Sequence, residues 1–368
     1  MVKYKSFIFL IMAGVMVILL GGFSEYDNDR PTTGFWAMEG EIVMHLAPVD
    51  PADSLSGREI YELIDDEGLT VWFGRDIFKD VCMTGQCKMM RLWVFWDGAG
   101  NYLGFQVPEN EPLTKSDHTE FAAPDYEKLH NILLDTSSIL KDLKTEDLTV
   151  EEEQKKEVEV DGYTAATQPG LAEVVVKDAV YTCHTLWHTV YGPSRKAILD
   201  ILDSRISGEY LASLTGSGRV NLQSAVVSYV GKYPEYHEKF YPFIMDFIRS
   251  DDTALSEKAL AYFRSELLYD SAIQKRLAEI LPVLSAQKKY DIIWKLVELK
   301  QVDKDVVLTL LQYFEDGSVG VGSLNLVFRL VDPAYLADER VSGILNRLSQ
   351  HENAYVRNLT GRLLDSRK

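Results

Sequence analysis

The stretch from Ser194 to Lys368 narrows most sharply what this chain can fold into, because its apolar residues keep helical spacing in segment after segment. The sets Leu222-Ala225-Val226-Tyr229, Leu255-Ala259-Leu260-Phe263, Ile292-Trp294-Leu296, Leu324-Leu326-Phe328-Leu330 and Val356-Leu359-Leu363 follow one another about every 30 to 37 residues. Second helices lie between them, at Phe240 to Ile248, Ile273 to Leu284, Val306 to Phe314 and Val341 to Leu348. A helix pair of that length buries little of its apolar face alone. Stacking on its neighbours buries the rest, and an all-α helical-repeat solenoid is the expected outcome. A non-repetitive helical bundle would use the same helices and remains the alternative.

The chain upstream obeys a different period. Between about Gly34 and Val160, Lys88 to Phe95 and Tyr102 to Val107 are apolar, aromatic runs flanking Asp97-Gly98-Ala99-Gly100-Asn101, the pattern of a β-hairpin. Asp125 to Leu134 predicts a helix with Tyr126, Leu129, Ile132 and Leu133 on its buried stripe. Lys141 to Glu159 is dominated by charge and reads as a solvated loop or helix face. Val158 and Val160 then alternate with acids as in a strand, and Gly162 to Gly170 reads as a loop of small and polar residues. From Leu171 the residues Val175, Ala179, Cys183, Leu186 or Trp187, and Val190 recur at helical spacing until Gly192-Pro193 stops the helix.

At the N-terminus Lys3 and Lys5 precede an apolar run from Phe7 to Phe23, and Glu25, Asp27 and Asp29 follow it. Residues 1–24 therefore read as a signal peptide, cleaved before Glu25, or as a single membrane anchor. Both place the rest of the chain outside the cytoplasm, in the periplasm or at the cell surface. Three cysteines leave one thiol over, and a local disulfide between Cys82 and Cys87 with Cys183 apart is the favoured arrangement. A formal net charge of -18 disfavours nucleic acid and anionic lipid as partners, since both need clustered Lys and Arg.

Val160-Asp161-Gly162-Tyr163-Thr164-Ala165-Ala166-Thr167 resembles the flavinylation motif of the FMN-binding domain family, found in subunits of sodium-translocating and related ion-pumping oxidoreductases and in nitrous-oxide reductase regulators. The family pattern is Asp, two variable residues, Ser or Thr, Gly, Ala, and Ser or Thr. Asp161, Thr164, Ala166 and Thr167 match it, and Ala165 stands where the family has Gly. The resemblance implies an α+β FMN-binding-like domain over residues 34–192. It further implies FMN joined to Thr167 by a separate flavin transferase, with Asp161, Thr164 and Ala166 shaping the acceptor loop. Asn353-Ala354-Tyr355-Val356-Arg357-Asn358 is similar to the second helix of a HEAT repeat, which makes residues 193–368 a HEAT-like domain.

Other clusters carry weaker chemistry. His184 and His188 share a helix face, but the remaining ligands of a zinc-protease pattern are missing. Lys115 and His118 sit in a polar loop from which either could meet a flavin phosphate or act as acid or base. Trp93, Trp96, Tyr102 and Tyr163 are candidates to wall an isoalloxazine ring. The expectation is an extracytoplasmic flavin-carrying electron-transfer protein whose helical repeats dock a redox partner protein, membrane-bound or not. The alternative is a non-catalytic scaffold on a degenerate flavin-binding fold.

Overall fold

The computed structural model describes residues 34–48, 55–81, 89–150, 166–167 and 169–365. Its first part is a five-stranded antiparallel sheet in sequence order: β1 Glu41–Leu46, β2 Glu59–Ile64, β3 Thr70–Lys79, β4 Met90–Asp97 and β5 Tyr102–Gln106. The expected hairpin is β4 and β5. Its turn forms because the Asp97 carboxylate accepts hydrogen bonds from the N–H groups of Ala99 and Asn101, while Gly100 takes φ +76°, a backbone that favours glycine.

From Leu92 to Trp96 β4 is apolar because both of its faces are covered. Leu92, Val94 and Trp96 join Ile60, Phe73 and Ile77 in the main core. Trp93 and Phe95 point the other way, into a second cluster with Leu63 and Trp72. A 3-10 turn at Gly34–Ala37 closes that second face. Phe35 stacks on Phe95 with ring centroids 4.2 Å apart, and Trp36 meets Trp93 and Trp72 edge-on at 4.9 and 5.1 Å.

Fifteen α-helices follow among the described residues. α1 (Ala123–Leu134), α2 (Pro169–Ala172) and α3 (Val180–Tyr191) belong to the α+β part. The helical part comprises α4 (Pro193–Asp203), α5 (Gly208–Gly216), α6 (Val220–Lys232), α7 (His237–Phe247), α8 (Thr253–Tyr262), α9 (Ser265–Leu268), α10 (Ser271–Ile280), α11 (Ala286–Val297), α12 (Lys304–Glu315), α13 (Leu324–Arg329), α14 (Glu339–Leu348) and α15 (Ala354–Asp365). Helices there pack on their sequence neighbours, as α5 on α6 and α7 on α8, and also on the helix two places on: α6 on α8, α10 on α12, α12 on α14, α11 on α13 and α13 on α15. The helix starts are locally encoded, since Ser207, Asp252, Asp270, Ser285, Asp303 and Asp338 each cap a helix by accepting a backbone N–H.

Two readings of the chain change on the structure. The helix expected from Leu171 is divided: α2 ends at Ala172, and α3 starts only after Asp178, which holds φ +58° and accepts the Ser116 N–H through its carbonyl at 2.8 Å. The apolar stripe is nonetheless buried as expected, because the turn still directs Val175 and Ala179 inward. Ala166 and Thr167, read as loop, form a short strand β7 opposite β6 (Thr149–Val150). The isolated ladder was invisible in the sequence because its pairing depends on a segment some twenty residues away. Gly192 marks the change of architecture: a Cβ there would sit 2.2 Å from the His188 carbonyl oxygen, so α4 can follow α3 this closely only through glycine. The apolar core continues across it, from Ala47 in the sheet part to Leu363 in α15.

Candidate functional site

The residues from which the flavin motif was read are placed in part. Asp161, Thr164, Ala165 and Tyr163 lie outside the described residues, as do Cys82 and Cys87. Thr167 and Ala166 pair with Thr149 and Val150 in the β6–β7 ladder, and Pro169 opens α2 two residues later. Thr149 is held by the turn before it. The Lys144 N–H donates to the Asp147 carboxylate at 3.0 Å, and Leu148 is fully buried. The far side of α2 is fixed by Lys128 of α1, whose ammonium donates to the Glu173 carbonyl at 3.0 Å. Thr167 is thus an extended residue anchored by backbone pairing and followed at once by a helix tied to α1.

The polar loop from Leu113 to Glu120 does come to this region, through the bond from Ser116 to Asp178. Its lysine is committed elsewhere. Lys115 lies 2.9 Å from Asp125 in the first turn of α1, and that ammonium holds the Asp125 carboxyl below its ordinary range. His118 takes φ +65° in the turn from Lys115 to Thr119.

The aromatic candidates do not converge on a cleft. Trp96 is fully buried and donates its indole N–H to the Val190 carbonyl at 2.9 Å, which locks the sheet to α3. Tyr102 is buried beside His130, its hydroxyl 3.1 Å from Nδ1, and burial raises its phenol well above the usual range. Trp93 lies on the opposite sheet face under Trp36. A strand directs successive side chains to opposite faces, so Trp93 and Trp96 cannot wall the same ring. Of the four aromatics expected to wall a flavin ring, three are core and Tyr163 lies outside the described residues.

His184 and His188 do share one face of α3, with ring centroids 4.3 Å apart. Their Nε2 atoms donate to the carbonyls of Leu143 and Leu140, both at 2.9 Å. Those bonds assign both rings the Nε2–H tautomer and pin the 3-10 turn Ile139–Asp142 onto α3. Burial lowers the pKa of His184, with His188 adding to the effect and the bond to Leu143 opposing it. The pair acts as a structural clip. Cys183, beside His184 on α3, is buried and unbridged, and burial pushes its thiol up to about 12.

The one buried carboxylate among the described residues lies at a centre that the sequence reading missed. Glu62 in β2 is 0% exposed and saturated with donors. Arg205, in the turn after α4, binds it with both terminal nitrogens at 2.5 and 2.6 Å, His45 Nε2 lies at 2.7 Å, and Thr70 donates at 2.5 Å. Burial alone would raise this carboxyl. The bonds from Arg205, His45 and Thr70 outweigh it and hold the pKa at about 2. Arg75, nearly as buried, joins β3 to the start of α4 by donating to Ser194 Oγ at 2.6 Å and to the Gly57 carbonyl at 2.9 Å. Asp65 and Arg219 add a further ion pair, and Arg195 donates to the Gly100 carbonyl at 2.8 Å. All four acceptor positions of Glu62 are engaged by the protein, so its chemistry is that of a clamp between sheet and helices. The signal was a carboxylate at an inward position of the apolar run Ile60-Tyr61-Glu62-Leu63-Ile64.

A cleft of about 440 Å³ opens where α3 meets α4, lined by Thr136, Lys141, Trp187, His188, Tyr191, Gly192 and Arg195. Among the described residues no helix is long and apolar enough to cross a membrane. No family model, curated protein or solved structure matches the chain.

Proposed function

We propose that the chain is an extracytoplasmic electron-transfer protein that carries FMN. Residues 34–192 form the flavin-holding part, and residues 193–368 form a HEAT-like solenoid that docks a redox partner. The observation that carries the reading is the position of Thr167, the residue matched to the family's flavin acceptor. It follows a β-hairpin and a helix in the chain and sits in a short extended ladder just before α2. The acceptor position thus lies in a segment whose backbone is paired to Thr149 and Val150 and which leads into a helix start, where a phosphate would gain from free N–H groups. When bound, the flavin ring would supply the electron chemistry. The chain's own part is to tether it and to present it to a partner. The docking role draws support from the contacts between helices two apart, α6 with α8, α10 with α12, α11 with α13, α12 with α14 and α13 with α15, a pattern that stacked helical repeats would make. The compartment rests on Lys3, Lys5 and the apolar run to Phe23.

A second reading, a scaffold on a degenerate flavin fold, draws on Ala165 and on the burial of Trp93, Trp96 and Tyr102. Intact mass separates the two. Protein made in an exporting host that has the flavin transferase should gain the mass of one FMN and be yellow, and Thr167→Ala should lose both. An unmodified, colourless wild-type protein would overturn the flavin reading and leave the scaffold.

A further inference from the structure

Strand β1 is the outer strand of the sheet, and among the described residues nothing pairs with its free edge. The register shows which backbone groups that edge presents. The Ala47 N–H donates to the Arg58 carbonyl of the β2 side at 2.8 Å, and the pairing from Glu41↔Ile64 to Leu46↔Glu59 is unbroken. In an antiparallel strand alternate residues turn both backbone groups to the same side. The odd-numbered residues Glu41, Val43, His45 and Ala47 therefore face β2, and Ile42, Met44 and Leu46 direct their N–H and C=O outward. The same three residues carry exposed apolar side chains, at 39%, 56% and 61%. The devices that usually blunt an edge, a lysine or a proline in the strand, are missing from Glu-Ile-Val-Met-His-Leu.

We infer that β1 pairs antiparallel with β1 of a second copy of this chain, about a two-fold axis through Met44, to make one continuous sheet across the dimer. The choice of a second copy rests on the strand's own complementarity. With the axis at Met44, Ile42 lies opposite Leu46 of the other copy and Met44 opposite Met44, so six apolar side chains form one stripe on the face that holds the Trp36 cluster. On the other face Val43 lies opposite His45, and Glu41 opposite Ala47, so no like charges meet. Any register shifted by one residue would place this stripe against the wrong face. A single strand pair buries less than a standard interface, and each copy carries a net charge of -18. The dimer is therefore weak, in the micromolar range, and strengthened by salt that screens the repulsion.

Sedimentation of the full chain from an exporting host, over about 1 to 100 µM at low and high salt, should show a concentration-dependent monomer–dimer equilibrium shifted to dimer by salt. Met44→Lys, which opposes two ammonium groups at the axis, should leave a folded monomer by circular dichroism. Met44→Cys should form a disulfide-linked dimer under mild oxidation, with the two copies joined at position 44 by peptide mass analysis, since facing strand residues lie within disulfide reach. Glu41→Cys, off the axis, should not link to itself. A monomer at all concentrations with no cross-link at position 44 would overturn the inference. So would a monomer that instead binds neutral phosphatidylcholine vesicles and loses that binding in Met44→Lys.

Discussion

The junction between sheet and helices and the helical stack beyond it are held together by different physics. At the junction the buried Glu62 carboxylate is paired with Arg205 and the buried Arg75 donates to Ser194, with the partly exposed pair Asp65–Arg219 beside them. In the stack, contacts between successive helices come mainly from the buried side chains of Leu277, Ile293, Leu311 and Ile344, and the buried hydroxyls of Ser256, Tyr335 and Thr360 are each satisfied by a backbone carbonyl. A bidentate guanidinium on a buried carboxylate tolerates little displacement, because any misfit leaves an unpaired charge in a medium that solvates it poorly. The junction therefore depends on the exact pairing of one buried carboxylate, and the stack on the filling of apolar space.

The sharpest way to break that contrast is Arg205→Ala. It leaves Glu62 buried with its strongest partner gone, and the expected loss is about 4 kcal/mol by urea denaturation, with sheet and helices uncoupling before the stack melts. Replacing Glu62 and Arg205 together by apolar residues should recover most of the stability, which a purely steric role for either would not permit.

Next comes Leu311→Ala in α12, which removes a fully buried side chain from the middle of the stack. The expected loss is about 3 kcal/mol, with the effect confined to α10–α14 in hydrogen exchange. Spread of that exchange into the sheet would show the two regions to be one cooperative unit.

Acid titration tests the junction by itself. Glu62 has its pKa lowered on folding from 4.5 to about 2. Its contribution is accordingly complete above about 4.5 and declines as pH falls toward about 2. The urea midpoint of wild type should drop across that window by more than that of Glu62→Gln, which lacks the titrating carboxylate.

The smallest expected effect is Asp303→Ala, the cap of α12, whose carboxylate accepts the Asp305 N–H at 2.8 Å. About 1 kcal/mol should be lost, with no change at the junction.

Much of the α+β and helical organisation was legible because its signals are local. The β4–β5 hairpin announces itself by the Asp97 to Asn101 turn, α1 by its stripe, and the stack by recurring apolar sets behind Ser and Asp caps. The break at Asp178 was not legible, since the apolar spacing of Val175, Ala179 and Cys183 is compatible with an unbroken helix. What favours the break includes the backbone bond from Ser116, sixty residues upstream. Likewise two histidines four apart suggest a metal from sequence, and the carbonyls of Leu140 and Leu143 that occupy them come from another segment.

By itself, then, the sequence determined periodicity, caps and turns, because each depends on residues a few positions apart. It also supplied the order of residues at Thr167 on which the flavin proposal rests. Only the tertiary structure decided which inward carboxylate would become the clamp. Glu62 and Arg205 are 143 residues apart, and a buried charge is stable only where the whole fold delivers its partners to it.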